Sequence, residues 1–153
     1  MAIATAPLTA NQAEFEFEAG PHAPGELAVL AFEADEELSR PFSLEVTLVP
    51  AREVEVSTGA LIGDKAQLTI QLGDGSARFV HGIIAEIKSW EEGQGDDRRR
   101  YRLRVVPALW KLGHVRRSRI FQSMSAPDIV KKVLDEGKVK HRAALHASYK
   151  PRL

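Results

Sequence analysis

The sequence predicts a mainly β fold: an antiparallel β-barrel or curled sheet of six or seven strands, with a short helical piece and one C-terminal α-helix. Three observations predict it. Short runs of alternating apolar and polar residues recur along most of the chain. Clusters of Gly, Pro and Asp separate those runs. A single stretch with helical period and helix caps follows Ser125.

The elements follow in order. Residues 1–12 are small and polar and read as a flexible arm. Glu14-Phe-Glu-Phe-Glu18 alternates strictly, which turns Phe15 and Phe17 to a core. Gly20 to Gly25 is a turn cluster, and Leu27 to Phe32 reads as a segment buried on both faces. Ala34 to Arg40 is a polar connector. Phe42, Leu44, Val46 and Leu48 then share one face of a strand that Pro50 ends. Glu53 to Val56 is expected as a short edge strand, and Ala60 to Gly63 as an apolar plug.

The central hairpin runs from Ala66 to Leu72, with Leu68, Ile70 and Leu72 inward. It turns at Gly73-Asp-Gly75, where glycine permits positive φ, and returns from Phe79 to Ile87. On the return strand Phe79, Ile83 and Ile87 fall on one face and Val80, Ile84 and Trp90 on the other, as for a strand covered on both sides. Gly82 in its middle predicts a bulge or bend. Glu91 to Asp97 is a mobile tip. Tyr101, Leu103 and Val105 then point inward and Arg100, Arg102 and Arg104 outward, until Pro107. In the helix after Ser125, Ser125 is the cap, Pro127 occupies the first turn, Asp128 faces the positive helix end, and Gly137 is the expected C′ residue with Lys131, Lys132 and Lys138 near the negative end. Its apolar stripe is Ile129, Val130, Val133 and Leu134. Residues 13–137 are therefore expected as one barrel domain and 138–153 as an incomplete segment.

Composition restricts the chemistry. The chain has no cysteine, which excludes disulfides and thiolate metal sites. The N-terminus has no basic start or long apolar run, so it does not read as a secretory signal. No apolar segment approaches the about 18–20 residues of a membrane-spanning helix. The formal net charge is zero, yet no Lys or Arg precedes Arg40, while Glu14, Glu16, Glu18, Glu26, Glu33, Asp35, Glu36 and Glu37 all do. Arg98, Arg99, Arg100, Arg102, Arg104, Lys111, Arg116, Arg117 and Arg119 lie in a stretch without an acid. Two readings follow. The halves neutralise each other across strands or subunits, or the basic stretch meets an anionic partner such as nucleic acid. The near-complete balance favours the first.

No constellation for catalysis emerges. His22, His81, His114, His141 and His146 lack the spacing and nearby carboxylates of a metal site. His81 reads as a half-buried strand histidine. None of the serines sits in a nucleophile elbow. The paired carboxylates Glu91-Glu92 and Asp96-Asp97 lie on a Gly-rich tip, without the rigid, desolvated setting that separates two pKa values. Gly73-x-Gly75 and Gly93-x-Gly95 do not open helices, so no phosphate loop is expected. No catalytic, metal or cofactor residue is expected. Trp110 reads as closing the core, with an interface anchor as the alternative. A single-strand binder would expose aromatics on its basic face, whereas Tyr101 points away from the arginines.

The succession of Pro41-Phe-Ser-Leu-Glu-Val-Thr-Leu48, Leu61-Ile-Gly63, Phe79-Val-His-Gly-Ile-Ile84, Tyr101 to Trp110, Ser118-Arg-Ile-Phe-Gln122 and Ser125 to Leu134 resembles the N-terminal hub domain of the VgrG spike proteins of type VI secretion systems. That domain is similar to phage baseplate hubs and the late control protein D group. The resemblance implies a non-catalytic structural protein without a cofactor. It implies a homotrimer that sits on an Hcp-like tube, carries effector or adaptor proteins, is assembled in the bacterial cytoplasm and is translocated by the apparatus. Arg100, Arg102, Arg104, Trp110, Arg116 and Arg117 are the expected contact residues with other subunits or the tube. The nucleic-acid-binding barrel, using Arg98 to Arg119, is the alternative. Family members continue past the helix, so this chain is expected to hold half a hub, with unpaired strand edges.

Overall fold

A computed structural model describes residues 14–91, 99–145 and 147–151. The expected arm over residues 1–12 and the tip over 92–97 lie outside the described residues. The chain divides into two compact units, Met1–Pro107 and Ala108–Leu153.

Alternation commits the first unit to strands: β1 (Glu14–Ala19), β2 (His22–Asp35), β3 (Ser43–Pro50), β4 (Lys65–Gln71), β5 (Ala77–Glu91) and β6 (Arg99–Val106). All pairings are antiparallel, and the ring β1-β2-β3-β6-β5-β4 is closed. The barrel of the first unit therefore has no open edge among the described residues, because β1 pairs with β2 on one side and along its full length with β4 on the other, from Glu14 opposite Gln71 to Ala19 opposite Ala66. Phe17, Leu44, Val46, Leu48, Leu68, Ile84, Leu103 and Val105 fill the interior. Each such large side chain contributes about 1.5–3 kcal/mol. Phe15 is 41% exposed, so it only borders the core, packing edge-on against Phe32 with centroids 5.2 Å apart.

Two irregularities correct the sequence reading of faces. The register shifts between Val29 and Ala31, so Leu30 is an extra residue. Leu27 is buried and Val29 and Phe32 pack on the core, while Ala28, Leu30 and Ala31 are exposed. The continuous apolar run is thus a one-sided strand with a bulge, not a segment buried on both faces. A second shift lies between Ile84 and Glu86. It puts Ile87 against the core with Val80 and Ile84 and places Trp90 opposite Arg100 rather than with Ile84. The outer face of β5 is only locally covered: Ile83 is buried, but Phe79 is 53% exposed and His81 is exposed, so His81 is not the half-buried histidine expected. The bulge falls at Ala85, not at Gly82. Gly82 instead permits close approach of β6, since a Cβ there would lie 2.3 Å from the Val106 carbonyl oxygen.

The two ends of the barrel are closed differently. At one end α1 (Thr58–Leu61) inserts the buried Leu61 into the core, with Val54 and Val56 packed beside it. Residues 53–56 form no strand, contrary to expectation. Gly20, at φ +56, makes room here, for a Cβ would meet Leu61 at 2.8 Å and Asp64 at 2.7 Å. At the other end Arg78 donates to both carboxylate oxygens of Glu36 at 2.8 Å. Because β2 and β5 lie opposite each other in the ring, this pair ties the β2–β3 connector across the mouth. Leu72 lies past the end of β4 and is exposed, whereas Thr69 is buried, reversing two expected faces. In the β4–β5 turn only Gly75 has positive φ (+83). There Ser76 donates to Asp74 Oδ1 from Oγ (2.6 Å) and from its N–H (2.8 Å).

In the second unit a 3-10 helix (Ala108–His114) precedes α2 (Ala126–Glu136). Ser125 caps α2 through Asp128, as expected, and Ile129, Val133 and Leu134 are half-buried while Val130 is exposed. The C-terminus departs from expectation. Gly137 is the C-cap at φ −78, Lys138 takes the left-handed conformation at φ 53, and the last turn holds no basic residue. Glycine is needed at 137 for space: a Cβ would lie 2.4 Å from Leu112 Cδ2. Residues 139–145 and 148–151 form no regular element, so the strand start allowed for there is not seen.

Two outcomes follow. Gly82→Ala forces β5 from β6 and is expected to lower unfolding free energy by about 1–3 kcal/mol; an unchanged urea midpoint would contradict the close approach. The Ser76 hydroxyl, and then its N–H, hold the Asp74 carboxyl below its ordinary value. With the folded value depressed, the stabilisation of the turn is present above the ordinary carboxylate range and is lost as pH falls through the depressed value. An NMR titration should show Asp74 protonating at lower pH in the folded chain than in a short peptide, and Ser76→Ala, which removes the hydroxyl but keeps the N–H, should reduce the difference.

Candidate assembly interface

Of the expected contact residues, Arg100, Arg102 and Arg104 belong to the first unit and Trp110, Arg116 and Arg117 to the second. On β6 the alternation holds. Tyr101, Leu103 and Val105 are buried, and the arginines between them are on the outer face.

Pairing sets the surroundings of those arginines. β6 lies between β3 and β5, so Arg104 is flanked by Glu45 on one side and Glu86 on the other. Its guanidinium is ion-paired with Glu86. Arg102 lies opposite Thr47 and Lys88, and its guanidinium carbon sits 5.4 Å from the Trp90 ring centroid, a cation–π geometry. Arg99 pairs with Glu91 at 2.7 Å, and that hydrogen bond and charge raise its pKa further above the ordinary value. Arg99 and Arg104 are therefore balanced by glutamates of β5 and β3, whereas Arg102 has none opposite it. The acidic strands β1 and β2 are not neighbours of β6 in this chain. β1 sets Glu14, Glu16 and Glu18 against the uncharged Gln71, Thr69 and Gln67, and Glu33 of β2 faces Glu45 of β3. Neither Glu86 nor Glu45 was marked by the sequence, because only the strand register reveals them as partners of Arg104.

In the second unit Trp110 is half-buried, its ring centroid 4.0 Å from that of His114, whose Nδ1 lies 3.2 Å from the Trp110 carbonyl oxygen. Arg116 and Arg117 are exposed on the stretch between the 3-10 helix and α2. Arg119 pairs with Glu136. Among the described residues no group of three or more His, Asp or Glu is arranged to hold a metal ion. No helix among them is long and apolar enough to cross a membrane.

This barrel followed by a capped helix has counterparts among known proteins. The sequence profile of the phage tail baseplate hub (GPD) family matches residues 35–153. The chain belongs to that family. Among baseplate hub relatives, the type VI secretion system spike protein VgrG1b of Pseudomonas aeruginosa is 36% identical over 126 residues, which is 81% of this chain and 16% of VgrG1b. VgrG1c of the same organism is 36% identical over 132 residues, 85% of this chain and 18% of VgrG1c. Among solved structures, the E. coli c3393 protein, described as a component of the type VI secretion system with structural similarity to the T4 bacteriophage tail proteins gp27 and gp5, superposes with a TM-score of 0.70. It is 26% identical, and the match covers 91% of this chain and 37% of that one. The chain thus spans under a fifth of the length of these two spike proteins. It is a hub-like structural domain of the VgrG spike type.

The stacking of Arg102 on Trp90 separates stability from assembly. Arg102→Ala is expected to cost no more than about 1 kcal/mol in chemical denaturation. A larger loss would mean that Arg102 supports the barrel itself.

Proposed function

We propose that this chain is the assembly domain of a type VI secretion spike. It forms part of a trimeric hub that caps an Hcp-like tube and carries effector or adaptor proteins into target cells. In this reading it is non-catalytic and needs no cofactor. It assembles in the bacterial cytoplasm and leaves through the type VI apparatus. Residues 13–137 are the hub-like body, and 138–153 lead into the remainder of the hub in longer relatives. The observation that carries the reading is the family match across residues 35–153, joined to a closed barrel that superposes on a type VI component over most of its length.

Charge supports the contact residues proposed. Arg102, Arg116 and Arg117 are exposed and present cations to another subunit or the tube, with the half-buried Arg100, Arg104 and Trp110 as further contact residues. The acidic outer face of β1 and β2 has no basic strand beside it within the chain. Facing subunits that bring acid to base would set register and suppress wrong docking. The nucleic-acid reading has less support: Arg99, Arg104 and Arg119 are engaged with glutamates, and Tyr101, the aromatic of β6, is buried.

Analytical ultracentrifugation of the full-length polypeptide carrying this domain should show a three-fold assembly that co-sediments with tube rings. Arg100→Glu, Arg102→Glu and Arg104→Glu together should abolish it, and Arg116→Glu with Arg117→Glu, on exposed positions, should weaken it without lowering the melting temperature. A wild-type polypeptide that stays monomeric at every concentration would reject the reading.

A further inference from the structure

The stretch Val115–Gln122 has the residue types of a β-strand and no sheet. It contains no helix or turn, and Val115, Ile120 and Phe121 within it are strand-favouring residues. Val115, Arg117, Arg119 and Phe121 line one cavity of about 360 Å³ against Val133 and Glu136 of α2. Arg116, Ser118, Ile120 and Gln122 do not line it and are exposed. That alternation is the period of two of an extended strand. Two contacts pin the cavity side: Arg119 is ion-paired with Glu136, and the Lys132 ammonium lies 5.9 Å from the Phe121 ring centroid.

The other side is open. Ile120 is 87% exposed. Among the described residues, no backbone group from Arg116 to Gln122 hydrogen-bonds to another backbone group, and Arg116 and Arg117 have no acidic partner. Such a stretch is a template for a further strand.

We propose that residues 115–122 are a docking strand, pairing with an extended, acidic and apolar strand of a partner polypeptide. Backbone amides and carbonyls supply the ladder, Ile120 the apolar contact, and Arg116, on the same side as Ile120, the charge selection. A protein strand fits better than nucleic acid for two reasons. The free carbonyl oxygens need donors that a phosphate backbone lacks, and the outward anchor is aliphatic rather than a stacking aromatic. The proposal deepens the assembly reading and rests on it for expecting a protein partner.

The test uses the intact chain and a fluorescein-labelled, N-acetylated peptide, Glu-Val-Glu-Val-Glu-Val-Glu. A second peptide carries proline at the central valine, which keeps the charge and removes a ladder donor. Fluorescence polarisation should show saturable binding, about ten-fold weaker for the proline peptide and about ten-fold weaker for Ile120→Glu, at unchanged melting temperature. Amides 116–122 should gain protection from hydrogen exchange when the first peptide is added. Absence of saturable binding, equal binding of the two peptides, or tighter binding of oligothymidine would each overturn the proposal. Three-fold assembly of the longer polypeptide without peptide binding would remove the docking strand and leave the hub reading intact. Peptide binding in a polypeptide that remains monomeric would do the reverse.

Discussion

Everything in the first unit depends on the double pairing of β1. This strand of six residues hydrogen-bonds to β2 and to β4 at once. Without it the ring would open along two edges and the core would lose Phe17, which is fully buried. Closure removes the liability of exposed edges and fixes register, since a one-residue slip of β1 would send Phe17 outward and Glu16 or Glu18 inward. The end caps rely on the same closure. Leu61 seats beside Gly20 at the β1–β2 turn, and the Glu36–Arg78 pair spans a mouth that exists only when the ring is complete.

Closure also decides where charge accumulates. The net charge is zero, but the balance is not local. β6 takes its counter-charges from β5 and β3, whereas β1 is flanked by uncharged polar residues of β4, and Glu33 sits against Glu45. Like charges on facing strands are mildly destabilising, so Glu33 against Glu45 is a local cost, offset in part by Arg104 on the other side of Glu45. A family of assembly proteins has a use for an acidic sector, since unbalanced charge guides encounter and rejects wrong partners.

The strands were largely legible because alternation is local, as were the Ser125 cap and the inward set Tyr101, Leu103 and Val105. What could not be read depended on pairings distant in sequence. The two bulges, at Leu30 and Ala85, switch the inward face in mid-strand, so a period of two counted straight through misplaced Ile87 and Trp90. Gly82 and Gly137 were correctly marked as special but for the wrong reason: each clears space for a neighbour, the Val106 carbonyl and the Leu112 side chain, rather than supplying a bulge or a left-handed turn. At the candidate interface the arginines were visible, but Glu86 and Trp90 as their partners were not, because nothing in the order of residues announces that β5 is the neighbour of β6. The barrel itself was expected, as a barrel or curled sheet, but the pairing of β1 with β4 that closes it lies between strands distant in sequence and could not be read.

The ordering of strands has a consequence for how the protein is made. Both partners that complete the ring are in hand once Val106 has been synthesised, since β6 is the last strand to enter and it slots between β3 and β5. The barrel can therefore seal on the ribosome before the 3-10 helix and α2 have emerged, as amino-terminal domains generally do. Whatever length of polypeptide follows is then drawn out behind a finished barrel, and nascent chains crowded on one messenger have no open barrel edge through which to exchange strands.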